Sequence, residues 1–201
     1  MQHFGQNVHL NTRVNNQDQV GGRDVKDLNE QEIIALCKQG NRQAQKRIFD
    51  SLSPKMYSIC LRYMGNRDEA EDVLQDGFLA LFSKLDSYSG EGSFEGWARK
   101  IFVNTALMTL RKNDVLKQSE DIENAFGLFT ENASAVQNVS YKELLKIIAE
   151  LPVGYRTVFN MFAIEGFTHK EISEALGISE VTSRSQLQRA RVMLQKKIKD
   201  R

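Results

Sequence analysis

The apolar positions of this chain recur with the spacing of α-helices. Between residues 68 and 85 they stand three or four positions apart, which predicts a helix with one packed face. That stripe consists of Ala70, Val73, Leu74, Gly77, Phe78, Leu81, Phe82 and Leu85. Because glycine weakens a helix interior by about 0.5 to 1 kcal/mol, Gly77 needs a reason, and close approach of a second helix is one explanation.

Shorter stripes on either side predict further helices. Before residue 68, one helix is predicted from residue 28 to 39, a second from residue 44 that ends at Ser53-Pro54, and a third from residue 56 to 64. After residue 85, a polar loop with glycines leads to Ser93, which is a suitable N-cap for a helix over residues 94–112. Phe94 and Trp97 belong to the packed stripe of that helix.

Four helices are predicted in residues 140–201, and the last two have the pattern of a helix-turn-helix. Ile172 and Leu176 form a short apolar face, and Gly177 permits a tight turn. Ile178 fills the angle of the turn, and Ser179 caps the second helix.

Two segments show no sustained periodicity of apolar positions. Residues 1–27 are polar and rich in Asn and Gln, which predicts a disordered extension. Residues 113–139 contain five acidic residues against one lysine, which predicts a flexible acidic linker. The fold class is therefore all-α, with two small helical domains, residues 28–112 and residues 140–201, joined by that linker.

Charged residues of one sign are clustered in parts of this chain of 201 residues, although its net charge is only +1. Residues 179–201 hold seven Lys or Arg and two acidic residues, a local net charge of +5. Polar and basic residues suited to phosphates and base edges occupy the free side of the second helix of the helix-turn-helix. They are Thr182, Ser183, Arg184, Ser185, Gln188, Arg189 and Arg191. DNA reading by the first turns is favoured over a merely solvated basic face.

Cys37 and Cys60 are the only cysteines, and each lies in an apolar helical context. Buried thiols are therefore expected, with no disulfide, no metal site and no other cofactor. Since the chain has no apolar segment long enough to span a membrane, no membrane insertion and a cytoplasmic location are expected.

The helix-turn-helix half resembles region 4 of bacterial sigma factors, especially those of the extracytoplasmic-function group. The resemblance is carried by Leu151-Pro152, Tyr155-Arg156, the residues EGFT at 165–168 and the residues EISEALGISEVTSRSQLQRAR at 171–191. It implies that the −35 promoter duplex is read by Thr182, Ser183, Arg184, Ser185, Gln188 and Arg189. Val181, Ser183 and Gln186 differ from the residues that are frequent in the family at these positions. We expect this difference to affect which promoter sequence is preferred more than the function itself.

Residues 67–88, RDEAEDVLQDGFLALFSKLDSY, resemble sigma region 2.2. At about 100° per residue, Asp72, Gln75, Asp76 and Leu79 lie opposite the packed stripe. A solvated acidic face is the simpler interpretation of these residues alone. The resemblance implies instead that they dock on a coiled coil of the polymerase β′ subunit.

Residues 86–112 resemble sigma regions 2.3 and 2.4, which capture the melted −10 element. Lys100, Asn104, Leu107 and Arg111 are predicted to share the free face of the helix over residues 94–112. A polar loop can hold a flipped base while adjacent cations contact the single strand. The resemblance implies this role for Tyr88 in the loop up to Ser93, and for Lys100, Asn104 and Arg111.

The resemblance covers both halves in the order found in the family, and it implies a promoter-specificity subunit without catalytic activity. Its expected partners are core RNA polymerase, through the β′ coiled coil and the β flap, promoter DNA and an anti-sigma protein.

Two other functions are weighed against this one. A stand-alone helix-turn-helix regulator would use the helix over residues 68–85 as a dimer surface. An enzyme would use Asp68, Glu69, Glu71, Asp72 and Asp76 as metal ligands. No Glu-x-x-His pair, Gly-rich phosphate loop or nucleophile elbow supports an enzyme.

Overall fold

A computed structural model describes residues 19–20, 23–24, 27–112 and 141–200 of the chain. The chain divides into two compact units, Met1–Ile48 and Phe49–Arg201. The linker predicted for residues 113–139 lies outside the described residues, as does most of the extension predicted for residues 1–27. Within that extension, β1 (Gln19–Val20) and β2 (Arg23–Asp24) form a short antiparallel pair, which no sequence pattern indicated.

The first unit contains helix α1 (Glu30–Lys38) and the first turns of α2 (Arg42–Met64). Helix α1 begins at Asn29, whose side chain accepts a hydrogen bond from the Glu32 backbone N–H at 3.0 Å, while Glu32 accepts one from the Asn29 N–H at 2.9 Å. This capping box satisfies two backbone donors that a helix start leaves free. Helix α2 begins in a similar way, because the Asn41 side chain accepts from the Ala44 N–H at 3.0 Å.

Helix α2 continues without interruption through Pro54, so the predicted break at Ser53-Pro54 is wrong. A proline inside a helix removes one N–H donor and destabilises the helix by about 3 kcal/mol or more. Here the buried stripe runs on across it, with Leu52 before the proline and Met56 and Ile59 after it. Packing of this continuous face outweighs the local preference of proline.

In the second unit, helix α3 (Arg67–Ser83) packs on helix α4 (Phe94–Lys112), and a 3₁₀ turn (Leu85–Ser87) follows α3. A Cβ atom at Gly77 would overlap the ring of Phe102, which is fully buried. Phe78 lies beside it, with its ring centroid 5.0 Å from that of Phe102 in an edge-to-face arrangement. Close approach of the two helices is therefore the reason for the glycine.

The remaining helices are α5 (Tyr141–Ala149), α6 (Val153–Phe159), α7 (His169–Leu176) and α8 (Glu180–Lys199), and α6 continues as a π-helical turn (Asn160–Ile164). Helices α5, α6 and α8 share one apolar core, and its buried residues are Ile147, Ile148, Leu151, Tyr155, Ala190 and Leu194. Apart from the short β1–β2 pair, the regular elements of the described residues are all helices, in agreement with the predicted all-α class.

Gly77→Ala is expected to lower the free energy of unfolding by about 1 to 3 kcal/mol. The added methyl group overpacks a closed contact, and this outweighs the gain of about 1 kcal/mol in helix propensity. Urea unfolding followed by circular dichroism measures the effect. Asp76→Ala, on the exposed side of the same helix, is the control and should change stability by less than about 0.5 kcal/mol. A stabilised Gly77→Ala variant would show that α3 and α4 are not in close contact at this point.

The two native thiols are expected to react slowly in the folded protein. Burial raises the pKa of Cys37 and of Cys60 to about 12, so very little thiolate exists at pH 8. Labelling with a colorimetric disulfide reagent should be at least about 100-fold slower in buffer than in urea. Two fast-reacting thiols in the folded protein would contradict this burial.

Candidate DNA-binding and docking surfaces

The helix-turn-helix is built by local caps. The Thr168 hydroxyl accepts from the Glu171 N–H at 3.3 Å, and the Glu171 carboxylate accepts from the Thr168 N–H at 2.8 Å. The Glu171 carboxylate accepts from both the Thr168 N–H and the Thr168 hydroxyl, and these two hydrogen bonds hold its pKa below the usual value. Gly177 ends α7 with a φ of +70°, and the Ser179 hydroxyl caps α8 by accepting from the Thr182 N–H at 3.0 Å. The predicted turn glycine and the predicted cap are both confirmed.

The exposed side of α8, which we call the basic face, contains Val181, Arg184, Gln188 and Arg191 at helical spacing. Arg184 donates to the Glu180 carboxylate at 2.7 Å in an exposed ion pair, a type that contributes little to stability. The guanidinium of Arg191 lies 6.0 Å from the ring centroid of Phe162. These long side chains are therefore free to change partners.

Three other predicted DNA contacts lie at the edge of the basic face. Thr182 and Ser185 are half-buried, and the Ser185 hydroxyl donates to the Thr182 carbonyl at 3.0 Å. Arg189 is also half-buried and donates to the Tyr155 hydroxyl at 3.4 Å. Each keeps part of its surface in solvent beside the exposed Arg184 and Gln188.

The placement of Ser183 on the free side of α8 is wrong. Its side chain is fully buried, and its hydroxyl forms a 2.9 Å hydrogen bond with Nδ1 of His169. Ser183 precedes the buried Leu187 and Ala190 by four and seven residues, so helical spacing places it on the packed side. Helical spacing therefore indicates a buried position for Ser183, whereas the polar character of serine indicates an exposed one.

Val181 is an exposed apolar residue of α8 that the predicted set of DNA contacts does not include. It lies in the first turn of α8 and is 73% exposed. An apolar side chain that makes no core contact, next to Arg184 and Thr182, is of the kind that meets a thymine methyl group in the major groove. Its only signal in the sequence was its departure from the family pattern.

Helix α3 exposes all four residues that were predicted to lie opposite its packed stripe. Asp72, Gln75 and Asp76 are exposed, and Leu79 is 64% exposed in the same patch. We call this patch the acidic face. An apolar side chain inside a charged rim is an arrangement typical of protein interfaces.

The loop before α4 is held by Tyr88, which is buried and not free to contact DNA as predicted. Its hydroxyl donates to the Gly92 carbonyl at 2.9 Å, and its ring packs on Phe94 and Trp97 at centroid distances of 5.2 and 5.3 Å. Packing in this aromatic cluster removes the apolar ring of Tyr88 from water, which an exposed position in the loop would not do. Ser93 caps α4 as predicted, by accepting from the Gly96 N–H at 2.9 Å.

Helix α4 exposes Lys100, Asn104 and Arg111, which agrees with the predicted free face of this helix. Leu107, which was predicted to join them, is buried at 4% exposure. Its neighbour Met108 is instead 68% exposed. We call Lys100, Asn104, Met108 and Arg111 the α4 face.

Within residues 27–112 and 141–200 there is no group of three or more His, Cys, Asp or Glu side chains placed to hold a metal ion. None of the described helices combines the length and the apolar character that crossing a membrane requires.

Two family models match the chain. The model "Sigma-70 region 2" matches residues 48–115, and the model "Sigma-70, region 4" matches residues 141–194. The first includes the acidic face and the α4 face, and the second includes the basic face.

Similar proteins extend over nearly the whole chain. The chain is 30% identical over 179 residues to the ECF RNA polymerase sigma factor SigW of Bacillus subtilis, an alignment that covers 83% of this chain and 95% of that protein. It is 28% identical over 184 residues to the ECF RNA polymerase sigma-E factor of Haemophilus influenzae, covering 85% and 96%. Among solved structures, the sigma factor RpoE in complex with the anti-sigma factor NepR from Bartonella quintana matches with a TM-score of 0.46 and 20% identity, covering 77% of this chain and 96% of that one.

A small pH dependence of stability is expected from His169. Desolvation, with a smaller contribution from nearby Arg184, lowers the pKa of His169. Because the folded-state pKa lies below the unfolded value of about 6.5, protonation favours the unfolded chain. The stabilisation is therefore complete above about pH 7 and is lost as the pH falls through 6.5 towards the lower folded-state pKa.

Urea unfolding of wild type and His169→Asn at pH 7.5 and pH 5.5 measures this dependence. The stability difference between the two proteins should be smaller at pH 5.5. An unchanged difference would contradict the lowered pKa.

Proposed function

Because the chain belongs to the extracytoplasmic-function group of sigma-70 family RNA polymerase sigma factors, we propose that it gives core polymerase its promoter specificity through three separate exposed faces. The acidic face of α3 docks on the polymerase, the basic face of α8 reads the −35 duplex, and the α4 face holds the melted −10 strand. The single observation that carries this division is that each face is exposed on a helix whose opposite side is buried.

The basic face suits duplex DNA because its residues can contact both base edges and phosphates. Arg184 and Gln188 are exposed side chains that can reach base edges, and the exposed Arg191 can contact a phosphate. Arg184 must leave its exposed ion pair with Glu180, which requires little free energy. Val181 supplies an apolar contact to a thymine methyl group. Thr182, Ser185 and Arg189 contact the backbone from the edge of the face.

The acidic face suits a basic protein surface, and the resemblance implies the coiled coil of the β′ subunit. Asp72 and Asp76 offer carboxylates, Gln75 offers an amide, and Leu79 offers an apolar centre that docking would remove from water. Burial of one exposed leucine contributes about 1.5 to 3 kcal/mol, which exceeds the contribution of a rim ion pair. Leu79 is therefore the proposed anchor, with the polar groups setting orientation.

The α4 face suits single-stranded DNA. Lys100 and Arg111 lie near the two ends of α4, and Asn104 lies between them. Cations contact the backbone of an unpaired strand, and an amide can pair with a base edge. Met108 adds an apolar surface on which an unstacked base can rest. Tyr88 contributes indirectly, because it holds the loop up to Ser93 in place.

The remaining partners and the location follow from the same family. We propose that the C-terminal helices also contact the β flap, that an anti-sigma protein restrains the chain by covering one of the three faces, and that the protein acts in the cytoplasm, where the polymerase and the chromosome are. The proposed subunit is regulatory and catalyses no reaction of its own, and it needs no cofactor.

The decisive experiment is run-off transcription with purified core RNA polymerase and a library of promoter fragments. Arg184→Ala should reduce discrimination between promoters by about 5- to 150-fold, since one bidentate arginine contact is worth about 1 to 3 kcal/mol. Binding to core polymerase should be unchanged in this variant. Asp72→Ala/Gln75→Ala should do the reverse, weakening core binding and leaving affinity for a −35 duplex unchanged.

Glu174→Ala removes one exposed carboxylate outside all three faces and is the matched control. It should behave as wild type in both measurements. Protection of DNA by the protein alone, without any polymerase-dependent initiation, would replace this proposal with a stand-alone regulator. Loss of core binding in Arg184→Ala would overturn the assignment of roles to the faces.

A further inference from the structure

Val181 is an apolar side chain on a helix face that otherwise carries polar and basic ones. Among the large apolar side chains of residues 27–112 and 141–200 it is the most exposed, at 73%. An apolar side chain stabilises a fold when it is removed from water, and this one is not. Valine is also a weaker helix former than alanine. The stability of α8 therefore gives no reason for a valine at this position.

Helical spacing places Val181 on the basic face. Arg184, Ser185 and Gln188 follow it by three, four and seven residues, which are the separations that bring side chains to one side of a helix. Val181 is the second residue of α8, which begins at Glu180. In a helix-turn-helix, the N-terminal residues of the second helix contact base edges in the major groove. Val181 therefore lies where contact with a base is expected.

The charged end of Arg184 is directed towards the same turn. Its guanidinium donates to the Glu180 carboxylate, one turn earlier in α8, at 2.7 Å. Val181 and Arg184 are three residues apart, which corresponds to about 4.5 Å along the helix axis. Successive base pairs are about 3.4 Å apart. A base that contacts Val181 is therefore within about two base pairs of a base that contacts Arg184.

The hydroxyl groups next to Val181 already have partners within the protein. The hydroxyls of Thr182 and Ser179 are hydrogen-bonded to each other at 2.9 Å. The Ser185 hydroxyl donates to the Thr182 carbonyl at 3.0 Å. At the start of α8, the side chains that are left to contact bases are therefore the apolar Val181 and the basic Arg184.

The valine side chain is suited to recognising a methyl group. In a helix, valine has one strongly preferred rotamer, so its two γ-methyl groups are held in place before DNA binds. The apolar group on a base edge in the major groove is the C5-methyl of thymine. Methylation of cytosine at C5 puts the same group at the corresponding point of the groove. Val181 can therefore distinguish two pyrimidines that differ only in this methyl group.

We propose that Val181 makes the basic face a reader of the pyrimidine C5-methyl group. At one position of the −35 duplex, the chain then distinguishes thymine from uracil, and 5-methylcytosine from cytosine. This position lies within two base pairs of the base pair that Arg184 reads. The inference rests on the proposed function for the identity of the DNA. Its consequence is that methylation of a cytosine at this position converts a weaker promoter into a stronger one.

The test uses full-length protein bound to core RNA polymerase, with a promoter fragment selected from the run-off library. Each thymine of the −35 element is replaced in turn by deoxyuridine, which removes only the C5-methyl group. Competition between fragments measures the affinity of the complex for each of them. At one position, wild type should lose about fourfold in affinity, as expected for one methyl group that is no longer in contact. The base pair whose preference disappears in Arg184→Ala should lie within two positions of it.

Val181→Ala is the variant that removes the proposed contact. It deletes both γ-methyl groups at an exposed position and introduces a better helix former, so the protein should remain folded and bind core polymerase. Its affinity for the thymine fragment should fall about fourfold, and it should bind the thymine and uracil fragments equally. Glu174→Ala is the control and should retain the wild-type difference between the two fragments.

A second comparison adds the methyl group instead of removing it. The thymine at the sensitive position is exchanged for cytosine, with guanine in the opposite strand, and the cytosine is then methylated at C5. Wild type should bind the methylated fragment about fourfold more tightly than the unmethylated one. Val181→Ala should bind the two fragments equally.

Several results would overturn the inference. One is a wild-type affinity that no uracil replacement changes, and another is a −35 element without thymine within two base pairs of the position that Arg184 reads. A third is an equal uracil effect in wild type and Val181→Ala, because another residue would then contact the methyl group. Failure of wild type to support run-off transcription would instead remove the proposed function. The same uracil comparison on a duplex that the chain protects alone would then still decide the role of Val181.

Discussion

The burial of the Arg156 guanidinium is the constraint on which the arrangement of the second unit depends. A buried arginine cannot lose its proton, so it must be surrounded by acceptors, and here it has four carbonyl oxygens. The last carbonyls of a helix have no partner within that helix and are available as such acceptors. The ends of α2 and α5 meet at this residue, and a Cβ atom at position 65 would overlap its guanidinium, so glycine is needed there. Removing any one of these features would leave a buried charge or a buried carbonyl unpaired.

Helical spacing predicted the elements well because it reports a local property. The stripes in α3 and α8 follow from residues three and four positions apart, and the caps at Ser93 and Ser179 need only the next turn. The predictions fail where the chemical character of a residue and its position in the helical pattern indicate different environments. Ser183 is polar yet lies on the packed side of α8, and Pro54 is a helix breaker inside a helix whose buried face continues. In both cases packing of the whole face decided the outcome.

The contacts of Arg156, Asn160 and Glu165 with α2 could not be predicted from the sequence, and the reason is their distance along the chain. Arg156 and Asn160 contact residues more than ninety positions earlier, and Glu165 contacts Arg62 at a separation of 103. No period or motif links such positions in a single sequence. In the sequence, Arg156 and Glu165 stand out only as parts of a family pattern in the C-terminal half, which does not indicate that their partners lie in the other half. Tyr88 shows the same limit on a smaller scale, because its burial depends on an aromatic cluster formed with α4.

Charged residues of opposite sign are separated in this chain. Its net charge is only +1, yet the excess of Lys and Arg is concentrated near the C-terminus, while the carboxylates of α3 form a separate face. Attraction to phosphates depends on local charge and is independent of sequence, so the DNA affinity proposed for this chain must come from the basic face and not from the whole molecule. The proposed roles of the two faces therefore require partners of opposite charge, a polyanion for α8 and a basic protein surface for α3.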